Sequence, residues 1–178
     1  SGFFFFLEIM SESTKQHRSA SPKSVRCAVV TISDTRKWDD DRGGALIVKR
    51  LQDAGNEVSS RHIVHDDPAE IEPLLLKLAD PEATDAILIT GGTGITARDR
   101  TFETVSGLIT KAMPGYGEIF RMLSYEDIGP AAMLSRAIGG VLNNVIVLTM
   151  PGSVAAVQLA MEKLIVPEIG HLVYEARK

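Results

Sequence analysis

Apolar and polar positions follow two rhythms along this chain. Val25–Ser33 is an apolar, β-branched run ending at Asp34, the pattern of a buried parallel strand. Ala45–Ala54 places Ile47, Val48, Leu51 and Ala54 at helical spacing, and Gly55 follows as a stop signal. Glu57–His65 reads as a more polar strand near a sheet edge. Asp67-Pro68 then supplies an N-cap and a first helical residue, with Ile71, Leu74, Leu75, Leu78 and Ala79 on one face. Asp85–Thr90 predicts the third strand. Thr101–Met113 predicts a helix ended by Pro114-Gly115, and a second helix runs from Gly117 to about Tyr125. Ser135–Leu142 and Val145–Met150 flank Asn143-Asn144, the signature of a β-hairpin. Ser153 caps a helix reaching about Ile165, and Pro167 restarts a short terminal helix.

Strands alternating with helices predict an α/β fold: a mainly parallel sheet, helices on both faces, and a small late hairpin. Residues 25–178 are read as one domain. Residues 1–24 are set apart, with 1–9 as a remnant of expression and 11–24 as a polar, aperiodic mobile tail. With 44% apolar residues in 178, the chain has material for one sizeable core. A net charge of −4 with interspersed signs disfavours a nucleic-acid partner. No run approaches the ~18 apolar residues that span a bilayer, so no membrane partner is expected. Cys27 is the single cysteine and lies in an apolar run. It reads as a core residue in a reducing, cytoplasmic compartment. Val141, Val145, Ile146 and Val147 either fill the core or pair with a neighbouring copy.

In a parallel α/β sheet, ligands sit beyond the carboxyl ends of the strands. Those ends are Ser33-Asp34, His65-Asp66-Asp67, Thr90-Gly91-Gly92-Thr93-Gly94 and Met150-Pro151-Gly152-Ser153. Gly91 to Gly94 offer bare backbone that can approach a phosphate closely. Asp99 follows five residues after Gly94. A carboxylate there repels an anion unless a Mg²⁺ ion bridges them. Asp99 also reads as a cap for the helix at Thr101. Asp67 is read as a cap; Asp66 has no capping role and is the better catalytic or metal candidate. Ser153 suits both a cap and an anion site. Asp39–Asp41 is read as a solvated loop, and His62 and His65 point to opposite faces, against a zinc pair. No Walker loop and no G-x-S-x-G elbow occurs. Gly92-Thr93-Gly94-Ile95-Thr96-Ala97 fits a relaxed dinucleotide pattern but follows the third strand, not the first. That pattern alone supports a nicotinamide-dependent enzyme.

Thr31-Ile32-Ser33-Asp34, the Thr90–Gly94 loop with Arg98-Asp99, Met113-Pro114-Gly115-Tyr116-Gly117-Glu118, Leu134-Ser135-Arg136 and Met150-Pro151-Gly152-Ser153 occur in this order. Together they resemble the MoaB/Mog family of molybdopterin-binding proteins of molybdenum cofactor biosynthesis. Arg100-Thr101-Phe102-Glu103, Phe120-Arg121-Met122-Leu123-Ser124 and Val154 resemble its MoaB branch more than its Mog branch. The resemblance implies a three-layer α/β fold and a homo-oligomer, a trimer or a hexamer. It implies Mg²⁺-dependent adenylylation of molybdopterin by ATP, releasing pyrophosphate, with hand-off to a molybdate-insertion protein. The alternative it leaves is a molybdopterin-binding or carrier protein without turnover. Matched by motif, Asp66 and Asp99 are the functional carboxylates and Mg²⁺ ligands. Gly91, Gly92, Thr93 and Gly94 form the phosphate loop. Ser33, Ser135, Pro151, Gly152 and Ser153 line the pterin and nucleotide pocket.

Overall fold

The computed structural model describes residues 20–178, so the readings of residues 1–9 and of most of the tail lie outside the described residues. The strands are β1 (Arg26–Ile32), β2 (Glu57–Val64), β3 (Ala86–Thr90), β4 (Lys111–Ala112), β5 (Gly139–Leu142) and β6 (Val145–Met150). The helices are α1 (Arg42–Asp53), α2 (Pro68–Leu78), α3 (Thr101–Leu108), α4 (Pro114–Ile128), α5 (Val154–Ala160) and α6 (Val166–Ala176). A 3₁₀ segment, Gly129–Leu134, follows α4.

The strands form one mixed sheet in the order β2-β1-β3-β6-β5-β4. β2, β1, β3 and β6 run parallel, whereas β5 and β4 add antiparallel at the far edge. Alternate residues of the central strands enter two separate cores, because successive side chains of a strand point to opposite faces. Cys27, Val29, Leu88 and Leu148 pack with α1, α4, α5 and α6. Ala28, Val30, Ile87, Ile89 and Val147 pack with α2 and α3. That makes three layers. A fully buried Leu or Val contributes about 1.5–3 kcal/mol, so these faces outweigh the surface ion pairs in holding the sheet.

Several sequence expectations are corrected here. The helix expected over Thr101–Met113 stops at Leu108. Thr110 N donates to Val141 O at 2.9 Å and Met113 N to Gly139 O at 2.7 Å, so this stretch becomes edge strand β4. Pro114-Gly115 begins α4 rather than ending its predecessor, because proline suits the first helical turn, where its missing N–H is no loss. Only Gly139–Leu142 of the expected Ser135–Leu142 strand is extended. Asn143 and Asn144 both take positive φ, as a tight hairpin turn requires. Pro167 does not restart the chain after a break. A π-helical segment, Met161–Ile165, joins α5 directly to α6, and Pro167 sits in the first turn of α6, where its missing N–H is no loss. Val145, Ile146 and Val147 are fully buried in the sheet, so they fill the core.

The amino ends of the parallel strands are clamped by charge. Asp85 accepts from Arg26 at 2.7 Å and from Arg177, just beyond α6, at 2.6 Å. All four parallel carboxyl ends open on the opposite edge.

Candidate active site

Each carboxyl end leads into a loop, and three of the loops are tied together. Gly91 N donates to Met150 O at 3.0 Å, and Thr90 Oγ1 donates to Pro151 O at 3.1 Å. Arg36 Nη2 reaches across to Gly152 O at 2.8 Å. Between these loops and α4 lies a cleft of about 480 Å³. Ser33, Gly91, Gly92, Thr93, Gly94, Asp99, Ser135, Pro151, Gly152 and Ser153 all line it, so residues far apart in sequence meet on one wall.

The glycines are dictated by geometry. Gly91 and Gly92 have φ of +104° and +65°, a region that side chains strain to reach. A β-carbon on Gly91 would overlap Ile32 O, and one on Gly92 would overlap Thr101 Oγ1 and Asp66 Oδ2. Arg136 holds the loop from outside. Its Nε donates to Gly94 O at 2.7 Å, its Nη2 to Asp99 O at 3.1 Å, and its backbone N to Thr93 O at 3.0 Å. With loop carbonyls engaged by Arg136, this stretch is held in one shape.

Asp66 and Asp99 both stand at this loop, against Gly92 and Gly94 respectively. Asp66 Oδ1 accepts from Arg100 N at 3.1 Å, one residue beyond Asp99. Asp99 Oδ2 accepts from Thr96 N at 2.8 Å and Thr96 Oγ1 at 2.6 Å. Asp99 therefore shapes its own loop and does not cap α3, whose N-cap residue is Arg100 with no side-chain cap. Asp66 lies behind Gly92 rather than on the cleft wall itself. Partial burial pushes its carboxyl above the ordinary range; the Arg100 amide opposes this, and the charges of Asp99 and Asp34 reinforce it. A cation would relieve that crowding. Asp66 Oδ2 and Asp99 Oδ1 accept no hydrogen bond among the described residues. Thr101 Oγ1, buried beside Gly92, has no partner among the described residues either. Mg²⁺ commonly takes one or two carboxylates and fills its remaining positions with water and substrate phosphate. The two carboxylates fit that role. No cluster of three or more His, Cys, Asp or Glu arranged for a metal occurs among the described residues.

Other readings resolve locally. Asp67 caps α2 by accepting from Ala69 N at 2.9 Å. Ser153 caps α5, accepting from Ala156 N at 3.2 Å. Asp41 is no solvated loop residue: it is buried, caps α1 through Gly44 N at 3.0 Å, and pairs with Arg61 at 2.8 Å. Burial pushes its carboxyl up, but Arg61, the Gly44 amide and the Thr31 hydroxyl together outweigh this and hold it below the ordinary value. His65 pairs with Glu70 at 2.9 Å, away from His62. The Cys27 thiol is buried in the core and pushed up to about 12, as expected of a packing residue. Arg36 lines the cleft without having been singled out in the sequence, and Phe120 and Ser124, noted there only as ends of a branch-specific stretch, line it too. Arg36 follows the Ser33-Asp34 strand end, and Phe120 lies on the apolar face of α4. Strand-end position and helical periodicity were the available signals.

Comparison with known proteins identifies the family and the fold. Residues 28–171 match the family model described as "Probable molybdopterin binding domain". A molybdenum cofactor biosynthesis protein B of Bacillus cereus is 50% identical over 167 residues, covering 93% of this chain and 99% of the relative. A crystal structure of a molybdenum cofactor biosynthesis protein B superposes with a TM-score of 0.85 at 52% identity, covering 88% of this chain and 98% of the other. The tungsten cofactor synthesizing protein MoaB of Pyrococcus furiosus superposes at 0.80 with 36% identity, covering 89% and 100%. The strand-end loops, the glycine cradle and these matches lead to one conclusion: the chain belongs to the MoaB/Mog family of molybdopterin-binding domains, on its MoaB side.

Proposed function

We propose that this protein acts in molybdenum cofactor biosynthesis by adenylylating molybdopterin. A terminal phosphate oxygen of the pterin attacks the α-phosphorus of ATP. The new bond joins pterin phosphate to AMP, the bond from the α-phosphorus to the bridging oxygen breaks, and pyrophosphate leaves. The observation that carries this reading is the bare-backbone cradle Gly91–Gly94, set in one cleft with Asp99 and backed by Asp66.

Transfer of this kind asks a protein for positioning and charge neutralisation more than for covalent help. The cradle would hold one phosphate against its amides. Arg136 would keep those amides in place through its grip on Gly94 and Asp99. Asp66 and Asp99 would hold Mg²⁺. When bound, that ion neutralises phosphate oxygens and templates in-line attack. Ser33, Ser135 and Pro151-Gly152-Ser153 would orient the pterin and nucleotide along the cleft. We further propose that the protein works in the cytoplasm as a homo-oligomer, a trimer or a hexamer, and passes its product to a molybdate-insertion protein. Exposed Ile119, Met122, Ile128, Met133 and Leu134 on α4 and the 3₁₀ segment support the oligomer.

The test is direct. Incubating the protein with molybdopterin, Mg²⁺ and α-labelled ATP should release pyrophosphate and label the pterin. Tight pterin binding without label transfer would instead identify a carrier.

A further inference from the structure

The cleft is lined by one acidic side chain, Asp99, and one basic side chain, Arg36. They stand near different ends of the glycine loop: Asp99 Oδ2 is 2.8 Å from where a Gly94 β-carbon would stand, whereas the Arg36 head lies against Gly152, which abuts Gly91. Asp99 precedes α3, whose apolar face packs on the α2 side of the sheet. Arg36 lies near the starts of α1 and α5: its Nη1 is 3.7 Å from where a Gly43 β-carbon would stand. Gly43 and Gly152 form a collar around its head with no side chain to fill it.

Arg26, Arg50, Arg61, Arg98, Arg136 and Arg177 each pair with a carboxylate. Four described arginines, Arg36, Arg42, Arg100 and Arg121, pair with no carboxylate among the described residues, and of these Arg36 is the one that lines the cleft. Among the described residues its head makes a single hydrogen bond, from Nη2 to Gly152 O at 2.8 Å. A guanidinium has five donors in a fixed fork, so Nε and Nη1 are left over. Its backbone is tied down as well, because Arg36 N donates to Ser33 Oγ at 3.1 Å. This is a half-buried cation, anchored at both ends, with unused donors beside an anion cradle. A cation partly removed from water without a counter-charge is costly, and an anionic ligand would supply that charge.

We infer that Arg36 is a substrate-positioning residue that binds a phosphate group of the ligand, at the end of the cleft away from Asp66 and Asp99. This rests on the phosphate-transfer reading above for its ligand class. It extends that reading by giving the cleft a polarity: a carboxylate end suited to a cation-bridged phosphate, and an arginine end suited to a bare one. Both ATP and molybdopterin carry phosphate, so either could seat there.

The experiment is calorimetric titration of the full chain and its Arg36→Ala and Arg36→Lys variants. The probes are Mg·ATP, molybdopterin, adenosine and a pterin without phosphate. Charge-assisted bonds of this kind are worth roughly ten- to a hundredfold in affinity. Arg36→Ala should lose that factor for ATP, for molybdopterin, or for both, which identifies the source of the phosphate. Adenosine and the phosphate-free pterin should bind as before. Arg36→Lys should recover part of the loss, and the loss should shrink as salt rises. Equal phosphate-ligand affinity in parent and Arg36→Ala overturns the inference. So does an equal loss for the neutral probes, which would mark a structural role, and so does failure of the parent to bind either phosphate ligand. Turnover is scored separately. A protein that shows the Arg36 effect but releases no pyrophosphate keeps this inference and loses the adenylylation reading; one that turns over with Arg36→Ala unimpaired does the reverse.

Discussion

At the scale of single residues, the site is organised by what cannot be there. Gly92 admits no β-carbon because Thr101 and Asp66 occupy the space, and its φ is positive as well. Gly92→Ala should therefore cost about 1–3 kcal/mol of stability, read by denaturant unfolding, and should displace Asp66. Asp66 itself sits in a conflict of interests. Its carboxyl is raised above the ordinary range by burial and by Asp99 and Asp34. A carboxylate raised in the folded state ionises more readily in the unfolded chain, so its charge weakens folding above the folded pKa. That penalty vanishes below the ordinary value. Asp66→Asn should thus raise the thermal midpoint at pH 7, and the gain should disappear below about pH 4. The same substitution, and Asp99→Ala, should reduce pyrophosphate release by about a hundredfold or more. A stabilised but inactive Asp66→Asn protein is the signature of a group kept for chemistry rather than for folding.

At the scale of elements, turns and caps decide where the chain parts from its pattern. Asp41 shows this best. In sequence it is the last of three aspartates in a polar stretch, and nothing local separates it from a solvated loop. In the fold it meets Arg61 from β2 and Thr31 from β1, a conjunction that only the parallel pairing creates. Asp41→Ala should cost about 3 kcal/mol, since it removes a cap and strands Arg61. Because the Asp41 carboxyl is held low, its contribution is complete above the ordinary carboxylate range. It is lost as pH falls through the folded value, which an acid-unfolding series on parent and variant would reveal. The central strands, α1, α2 and the hairpin were legible because buried strands and amphipathic helices carry strong periodicity. β4 was not, for two residues hold no period and are extended only because β5 offers them an edge. The cleft residues near Ser33, Gly91–Gly94 and Ser153 could be gathered from the strand-end rule alone. For Arg36 that rule gave the place but not the role, and for Arg136 it gave neither, since both roles depend on contacts across 116 and 42 residues of chain.

At the scale of the whole molecule, most of the exposed large apolar side chains among the described residues gather on α4 and the 3₁₀ segment after it. Ile128 and Leu134 border the cleft, and Met133, 73% exposed, extends the same region outward. A homo-oligomer built on this surface would bring a neighbouring copy close to the reaction cleft. Met133→Glu should shift the sedimentation profile toward monomer while leaving the far-ultraviolet circular dichroism unchanged; an unaltered profile would clear this surface of the role. The opposite end of the molecule has a different character. There Asp85, nearly enclosed, holds Arg26 and Arg177 together, linking the first strand to the last helix. The chain is thus laced shut at one pole and parted at the other. Insults to the laced pole would loosen the whole body while sparing the mouth, whereas changes at the mouth could retune what it grips without unpicking the seam.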